Sequence, residues 1–317
     1  MITLFTAPKA FENHIGRIQR NAIRSWLALG EQVEVLMIGS EAGMGRAAAE
    51  LGVTHLPKVA RNEQGTPRID SIFDLADEYA AHPLRCYLNA DVMLMPDFLP
   101  AVERVHERFE KFLMVGQRWD VEVEQEFTLA ELTEPDRLAA LLKQAELHPP
   151  GGSDYFVFHG SQYQQMPPFA LGRSGWDNWM IYAARAAGHP VVDASKAVTV
   201  LHQQHDYAHL PGGQSHYRLP ESERNVALAG GREMMFTLKD ANWRLDAQGL
   251  KKVAALEPGR WRRLEANMIA RFGPGRASQL TRLLFHLPET LRYFMARPQA
   301  GRKDVESHEA PAGRQNG

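Results

Sequence analysis

Cysteine is nearly absent from this 317-residue chain, in which Cys86 is the single one. An internal disulfide is therefore excluded, and because Cys86 stands in an apolar run we expect a buried, unreactive thiol. Long apolar runs are also missing, since no stretch approaches the roughly 18 apolar residues of a membrane span. The N-terminus opens on strand-like residues 2–6 instead of the basic and apolar regions of a signal peptide, so we expect a cytoplasmic protein.

Neither sign of charge dominates, since the formal net charge is −2, but the charges are unevenly spread. Residues 251–303 hold 12 Lys and Arg against 3 Glu, and the remainder is acidic. This confinement of the basic excess argues against nucleic-acid binding. Arginines alternate with apolar residues over 260–297, which predicts basic amphipathic helices. Such helices either pack on the main domain, which we favour, or make peripheral contact with the inner face of the cell membrane.

The chain contains 44% hydrophobic residues, enough for a substantial core, and its pattern alternates between strands and helices. Predicted strands lie at 2–6, 33–38, 53–56 and 84–94, with helices at 15–29, 47–49 and 69–79 between them. A helical stretch at 123–147, a strand at 155–158, a helix at 176–187 and strands near 191–201 follow. This order predicts an α/β fold with a mostly parallel central sheet flanked by helices. We expect a catalytic domain over 1–230, a helical basic extension over 231–297 and a disordered tail over 298–317.

One polar motif, Asn89-Ala90-Asp91, follows the fourth predicted strand. Two oxygen-bearing side chains two residues apart lie on the same side of an extended chain. Mg²⁺ and Mn²⁺ prefer oxygen ligands and share their remaining positions between phosphates and water. Such a pair also ends many ordinary strands, because Asn and Asp favour turns. Its position after three βα units, where parallel sheets bind ligands, favours a metal and diphosphate site.

Seven segments in order resemble the GT-A glycosyltransferase superfamily, in particular family-2-like nucleotide-diphospho-sugar transferases. The matching segments are residues 5–9, 19–26, 62–67, 87–91, 116–120, 172–179 and 202–209. The resemblance implies the GT-A fold over residues 2–210. The chain departs from the usual Asp-x-Asp in having Asn89, which keeps an acceptor oxygen but lacks a charge. Either Asn89 weakens metal binding, or it contacts the ribose while Asp91 alone holds the metal.

The resemblance also implies a nucleotide site. The loop after the first strand, with Thr6, Pro8 and Lys9, would line the base and ribose, although an ordinary βα turn has the same composition. The polar loop that begins at Asn62, together with Arg68, offers backbone N–H groups and a guanidinium to phosphate. A solvated surface loop is the alternative interpretation of that segment.

Further site residues are implied at three places downstream. His202, after a predicted strand, would complete the metal shell beside Asp91, and His205 and His209 are further candidates in the same segment. Zinc is disfavoured because no cysteine accompanies these histidines. Asp177, at the start of a predicted helix, is either a helix-cap acid or the general base for an acceptor hydroxyl. The predicted acceptor-binding residues are Asp154, Trp176 and Trp179, each of which also fits a turn or core role, and Arg118, Trp119 and Asp120 are candidates for the cleft wall.

The resulting hypothesis is a glycosyltransferase of polysaccharide biosynthesis. It would move a sugar from a nucleotide-diphosphate donor to a hydroxyl of a glycan or glycoconjugate precursor, or of a small-molecule acceptor, assisted by Mg²⁺ or Mn²⁺. Asp177 as the base implies inversion at the anomeric carbon, and retention stays open. The alternatives are an inactive or metal-independent nucleotide-sugar-binding protein and a nucleotidyltransferase. The nucleotidyltransferase alternative lacks support, since no glycine-rich basic loop follows the first strand.

Overall fold

The computed structural model describes residues 1–205, 219–254, 260–273 and 275, which form a mixed α/β structure with two sheets. The strands are β1 (Ile2–Thr6), β2 (Val33–Ile38), β3 (Thr54–Leu56), β4 (Leu84–Leu88), β5 (Val92–Leu94), β6 (Leu113–Val115), β7 (Trp119–Val121), β8 (Glu146–Leu147), β9 (Tyr155–His159), β10 (Val191–Asp193), β11 (Val200–Gln203), β12 (Trp243–Asp246) and β13 (Gly249–Lys252). The α-helices are α1 (Asn13–Leu27), α2 (Met44–Leu51), α3 (Ile69–Tyr79), α4 (Phe98–His106), α5 (Leu129–Leu132), α6 (Pro135–Lys143), α7 (Trp176–Ala186), α8 (Pro220–Leu228) and α9 (Arg260–Phe272).

The main sheet has the order β13-β12-β10-β6-β9-β4-β1-β2-β3. Five of its eight strand pairs are parallel, while β9 runs antiparallel between β4 and β6, and β12 and β13 form an antiparallel hairpin. The predicted α/β fold with a mostly parallel sheet is therefore confirmed.

Helices cover both faces of this sheet and bury an apolar stripe against it. On one face α1 buries Ile23 and Trp26, and α4 buries Phe98, while α3 and α7 pack on the other face. The indole N–H of Trp26 donates to the carbonyl of Val92 at 2.8 Å, so the polar end of this buried side chain is satisfied. Burying a large apolar side chain contributes about 1.5–3 kcal/mol. Cys86 is fully buried, and burial raises the pKa of its thiol, as expected for an unreactive cysteine.

The chain leaves the main sheet at the polar motif. Residues 84–94 were predicted to be a single strand, but β4 ends at Leu88 and β5 begins at Val92. β5 belongs to a second sheet of order β5-β11-β7-β8. Asn89-Ala90-Asp91 therefore forms the passage between two sheets, which brings residues of both sheets around it.

Two other regions differ from the predicted elements. The single helix expected over 123–147 is divided, because Pro135 starts a new helix and the segment ends in β8. Residues after 230 are not all helical, since β12 pairs with β10 and extends the main sheet. The main sheet therefore continues beyond the predicted domain boundary at residue 230. Apolar and polar residues alternate over Trp243–Asp246, which favours a strand, and the turn before Gly249 leads into the second strand of the hairpin.

α9 is the described part of the basic extension. It packs Ala266 and Ile269 into the core beside α7, which agrees with the favoured packing interpretation. Residues 276–297 and the predicted tail at 298–317 lie outside the described residues. Within the described ranges no helix combines the length and apolar character that crossing a membrane requires.

Candidate active site

A cleft opens at the carboxyl ends of β1, β2 and β4, where a parallel sheet binds ligands. Its volume is about 740 Å³, within the range of small-molecule sites. Its walls come from residues 7–10, 38–41, 64–67, 89–91, 148–154 and 171–178, with Arg118, His202 and His205. The cleft therefore gathers residues of several predicted site segments from distant parts of the sequence.

Asp91, His202 and His205 form a cluster that fits a divalent cation. Strand β11 pairs antiparallel with β5, so that His202 lies opposite Val92 and next to Asp91. The Oδ2 atom of Asp91 is 3.1 Å from Nε2 of His205 and 3.8 Å from Nε2 of His202. One ligand atom from each of the three residues lies within 4.8 Å of the others. The predicted pairing of Asp91 with His202 is thus present, and His205 joins it, while His209 lies outside the described residues.

The second oxygen of Asp91 supports this assignment. Its Oδ1 atom is buried and accepts no hydrogen bond from any part of the chain that the structure describes. A buried carboxylate oxygen without a donor is costly unless a ligand satisfies it. One carboxylate and two imidazoles are donors that a divalent metal accepts. The residues present therefore fit the Mg²⁺ or Mn²⁺ that the sequence predicts.

Electrostatics keep Asp91 ionised. Burial alone raises the pKa of Asp91, but the hydrogen bond from His205 and the charges of His202, His205 and Lys9 outweigh burial. The net pKa of Asp91 lies well below its usual range. For His202, burial lowers the pKa, whereas the hydrogen bond to Asp120 and the charge of Asp91 raise it above its ordinary value. The cluster thus presents a negative ligand within a partly buried polar site.

Asn89 is held by Asp154 across the β4–β9 pairing. The Nδ2 atom of Asn89 donates to Oδ1 of Asp154 at 2.7 Å, and its backbone N–H donates to the carbonyl of Asp154 at 2.9 Å. Arg118 donates to the other carboxylate oxygen of Asp154 at 2.7 Å. A carboxylate at position 89 would face Asp154 at the same distance, which like charges oppose. The amide of Asn89 therefore matches its buried acidic neighbour.

This arrangement changes the interpretation of Asp154. Asp154 lines the cleft as predicted, but it is buried and both of its carboxylate oxygens have partners. Its acceptor-binding role stays a prediction. Asp154 holds Asn89 and Arg118 in place at the cleft wall.

Asp177 lies in the first turn of α7, on the wall of the same cleft. Its Oδ1 atom accepts the backbone N–H of Gly175 at 3.3 Å. Burial raises the pKa of Asp177 most, and the charge of nearby Asp154 raises it further, while backbone N–H groups lower it. The net result is a pKa of about 6. A carboxyl group of this pKa in a cleft is suited to general base catalysis near neutral pH.

The two tryptophans of α7, predicted to bind the acceptor, both make core contacts. Trp176 borders the cleft but is only 6% exposed, and it packs edge-on against Tyr87 with ring centroids 5.0 Å apart. Trp179 is not among the residues that line the cleft and packs against Phe169 at 5.4 Å. Both rings belong mainly to the core because α7 turns its apolar stripe towards the sheet.

The loop after β1, predicted to bind the nucleotide, reaches the cleft with Pro8 and Lys9. Thr6, the third residue of that prediction, is fully buried and is not among the lining residues. Gln19 in α1 fixes the loop by accepting the backbone N–H of Lys9 at 2.7 Å and donating to the carbonyl of Lys9 at 3.0 Å. The sequence signal for Gln19 was a polar residue on the buried face of an amphipathic helix.

Asn62 and Arg68, predicted to contact the nucleotide, are not among the residues that line the cleft. Asn62 instead shapes the loop, because its Oδ1 accepts the backbone N–H groups of Gln64 and Thr66 at 3.0 and 2.9 Å. Loop residues 64–67 then form part of the cleft wall. Arg68 is paired with Asp70 through its guanidinium.

Sequence reasoning did not single out two other residues that shape the cleft. Arg173 lines it and is paired with Glu221 of α8 at 2.8 Å. Glu221 also accepts from Nδ2 of Asn62 at 2.7 Å. Glu221 thus joins the 62–66 loop to the loop before α7. Only the tertiary structure brings these separated residues together.

The sequence matches no model of a known protein family and no curated protein. Solved structures similar to it include the mannosyltransferase PcManGT from Pyrobaculum calidifontis in complex with GDP-Man and Mn²⁺, with 10% identity and a TM-score of 0.41. That match covers 65% of this chain, which spans 58% of the mannosyltransferase.

Two further similar structures extend this comparison. Glucosyl-3-phosphoglycerate synthase from Mycobacterium tuberculosis, in complex with Mg²⁺ and UDP, has 15% identity, a TM-score of 0.44 and coverage of 72% of this chain and 77% of that one. S. aureus TarS, in complex with UDP-GlcNAc, has 13% identity, a TM-score of 0.46 and coverage of 91% and 87%.

Proposed function

We propose that the chain is a metal-assisted glycosyltransferase that moves a sugar from a nucleoside-diphosphate donor to an acceptor hydroxyl. One observation carries the proposal: a single cleft holds both the Asp91, His202 and His205 cluster and a separate carboxyl, Asp177, whose pKa is about 6. The reaction needs these two parts, a site that stabilises a leaving diphosphate and a base for the attacking hydroxyl.

The donor would occupy the side of the cleft formed by residues 7–10 and 64–67, with its diphosphate directed towards Asp91. Mg²⁺ or Mn²⁺ bound by Asp91, His202 and His205 would supply Lewis-acid stabilisation of the diphosphate leaving group. Lys9 and Arg173 add positive charge to the same walls. Pro8 and Gln19 keep the first loop in position for the base and ribose.

The acceptor would approach from the side of α7, with a hydroxyl against Asp177. The carboxylate of Asp177 removes the proton from that hydroxyl while the oxygen attacks the anomeric carbon. Attack on the face opposite the leaving diphosphate inverts the configuration. The glycine-containing segment 151–154 lies along the same cleft and leaves room for a glycan or glycoconjugate precursor.

The metal assignment is tested with Asp91→Ala and a panel of sugar nucleotides and divalent cations. We expect turnover to fall by at least about 100-fold, because a ligand and the only carboxylate of the cluster are removed. Circular dichroism and the melting temperature of the variant serve as the folding control. Undiminished turnover in a folded variant would contradict the assignment.

An inactive or metal-independent nucleotide-sugar-binding protein is a second candidate, favoured by the missing charge at Asn89. Calorimetry with UDP and GDP, with and without Mn²⁺, separates the two. Nucleotide binding without any transfer or donor hydrolysis would support this second candidate.

For location, we propose the cytoplasm, with the basic residues beyond α9 in peripheral contact with the inner face of the cell membrane.

A further inference from the structure

Asp120 lies behind the cluster of Asp91, His202 and His205 and does not itself line the cleft. Strands β7 and β11 pair in parallel with Asp120 in register with His202. The Oδ1 atom of Asp120 is 3.1 Å from Nδ1 of His202, on the side of the ring away from Nε2. Asp120 therefore touches a candidate ligand without reaching the ligand position.

We propose that Asp120 is a positioning residue that sets the tautomer and ring orientation of His202 for cation binding. A carboxylate only accepts hydrogen bonds, and a neutral imidazole carries one N–H. Nδ1 of His202 makes no aligned hydrogen bond within the described residues, but the negative charge of Asp120 at 3.1 Å favours the tautomer of neutral His202 with the proton on Nδ1. This tautomer leaves the lone pair of Nε2 facing Asp91. Metal-bound histidines commonly use their second nitrogen in this way. This inference rests on the metal site of the proposed function.

Other contacts hold the Asp120 carboxylate in place. Arg118 donates from Nε to its Oδ1 at 2.9 Å, and Nδ1 of His148 lies 2.7 Å from its Oδ2. Arg118 also reaches Asp154, which in turn orients Asn89. Two side chains from separate parts of the sequence, Arg118 and His148, thus fix Asp120 from the sides away from His202. The pairing of β7 with β11 places Asp120 and His202 side by side, so the backbone helps to fix this contact.

The test is Asp120→Ala in the full-length protein. The variant removes the carboxylate that faces Nδ1 of His202, so neither the tautomer nor the ring orientation is fixed from that side. We expect the Kd for Mn²⁺ alone, measured by calorimetry or by electron paramagnetic resonance, to rise about 10- to 100-fold. Asp246→Ala is the matched control, since Asp246 has a similarly exposed side chain in the distant β12 and should leave the Kd unchanged.

A second measurement reads the tautomer directly. Nitrogen-15 NMR of metal-free protein at alkaline pH, where His202 is neutral, should place its proton on Nδ1 in the wild type and show a mixture of the two tautomers in Asp120→Ala. A wild-type proton on Nε2, or an unchanged Kd for Mn²⁺ in the variant, would overturn the inference. Absence of Mn²⁺ binding to the wild type would instead overturn the metal site itself, so the two failures are distinguishable.

Discussion

At the scale of single residues, the cleft depends on how neighbours tune a few carboxyl groups. Asp91 and Asp177 share the cleft, yet their pKa values move in opposite directions. Histidines surround Asp91 and hold it ionised, whereas burial and the charge of Asp154 disfavour the ionised form of Asp177. Two carboxyl groups with separated pKa values are suited to separate roles, one as a ligand and one as a base.

The pKa of Asp177 predicts the pH dependence of turnover. Its pKa is raised to about 6, so the carboxylate form is present above that pH and is lost by protonation below it. A general base acts only when deprotonated, so kcat should fall about tenfold per pH unit below pH 6. A kcat profile from pH 5 to 8 measures this limb.

Asp177→Asn supplies the control for that profile. The variant should lose about 100- to 10,000-fold in kcat, and its residual activity should lack the acid limb. Its affinity for Mn²⁺ should be unchanged, because Asp177 is not part of the Asp91 cluster. A wild-type profile that is flat between pH 5 and 8 would exclude Asp177 as the base.

At the scale of elements, the start of α7 places Asp177 against the cleft. Gly175 precedes the helix with φ of 110°, a left-handed conformation that side chains rarely adopt. A Cβ atom there would lie 3.4 Å from Sδ of Met235, so space is limited as well. The turn at Gly175 therefore determines where the first turn of α7 points its carboxyl group.

Gly175→Ala should accordingly affect both stability and catalysis. We expect the free energy of unfolding to fall by about 1–2 kcal/mol, because alanine is strained at positive φ, and kcat to fall as Asp177 shifts. Urea denaturation and steady-state kinetics measure the two effects. Gly188→Ala is the matched control, since Gly188 follows the other end of α7 with φ of 78° and no atom near its Cβ position. Equal kinetic losses in both variants would show that the start of α7 has no special role.

At the scale of the whole molecule, the cleft joins the two sheets and the loops above them. Its walls come from residues between Ala7 and His205, so a ligand in it bridges most of the α/β structure. Ligand binding to the folded state alone stabilises a protein by about 2.7 kcal/mol at 100 times its Kd. Binding should therefore be visible as a change in overall stability.

This predicts a thermal shift that depends on metal. The matching nucleotide, from a panel of UDP and GDP, should raise the Tm by several degrees when Mn²⁺ is present and by less without it. Asp91→Ala should remove the difference between the two conditions. A shift of equal size with and without Mn²⁺ would favour metal-independent binding.

The sequence alone determined the alternation of strands and helices, and the resemblance of its motifs singled out Asp91, His202 and Asp177. The alternation follows from local signals: apolar periodicity, polar residues at strand ends and glycine before a helix. α3 has the bounds that periodicity predicts, and α7 differs by one residue at its end. Local interactions set such elements, so they can be predicted without knowledge of distant partners.

Only the tertiary structure decided what the side chains around Asp91 do. The break between β4 and β5 arises because β5 pairs with β11, more than 100 residues away. Asp154 meets Asn89 and Arg118 through strand pairing, while packing buries Thr6 and Trp176 and partly buries Trp179. Hydrogen bonds and burial between distant segments depend on the folded arrangement, and local sequence patterns contain no signal for it.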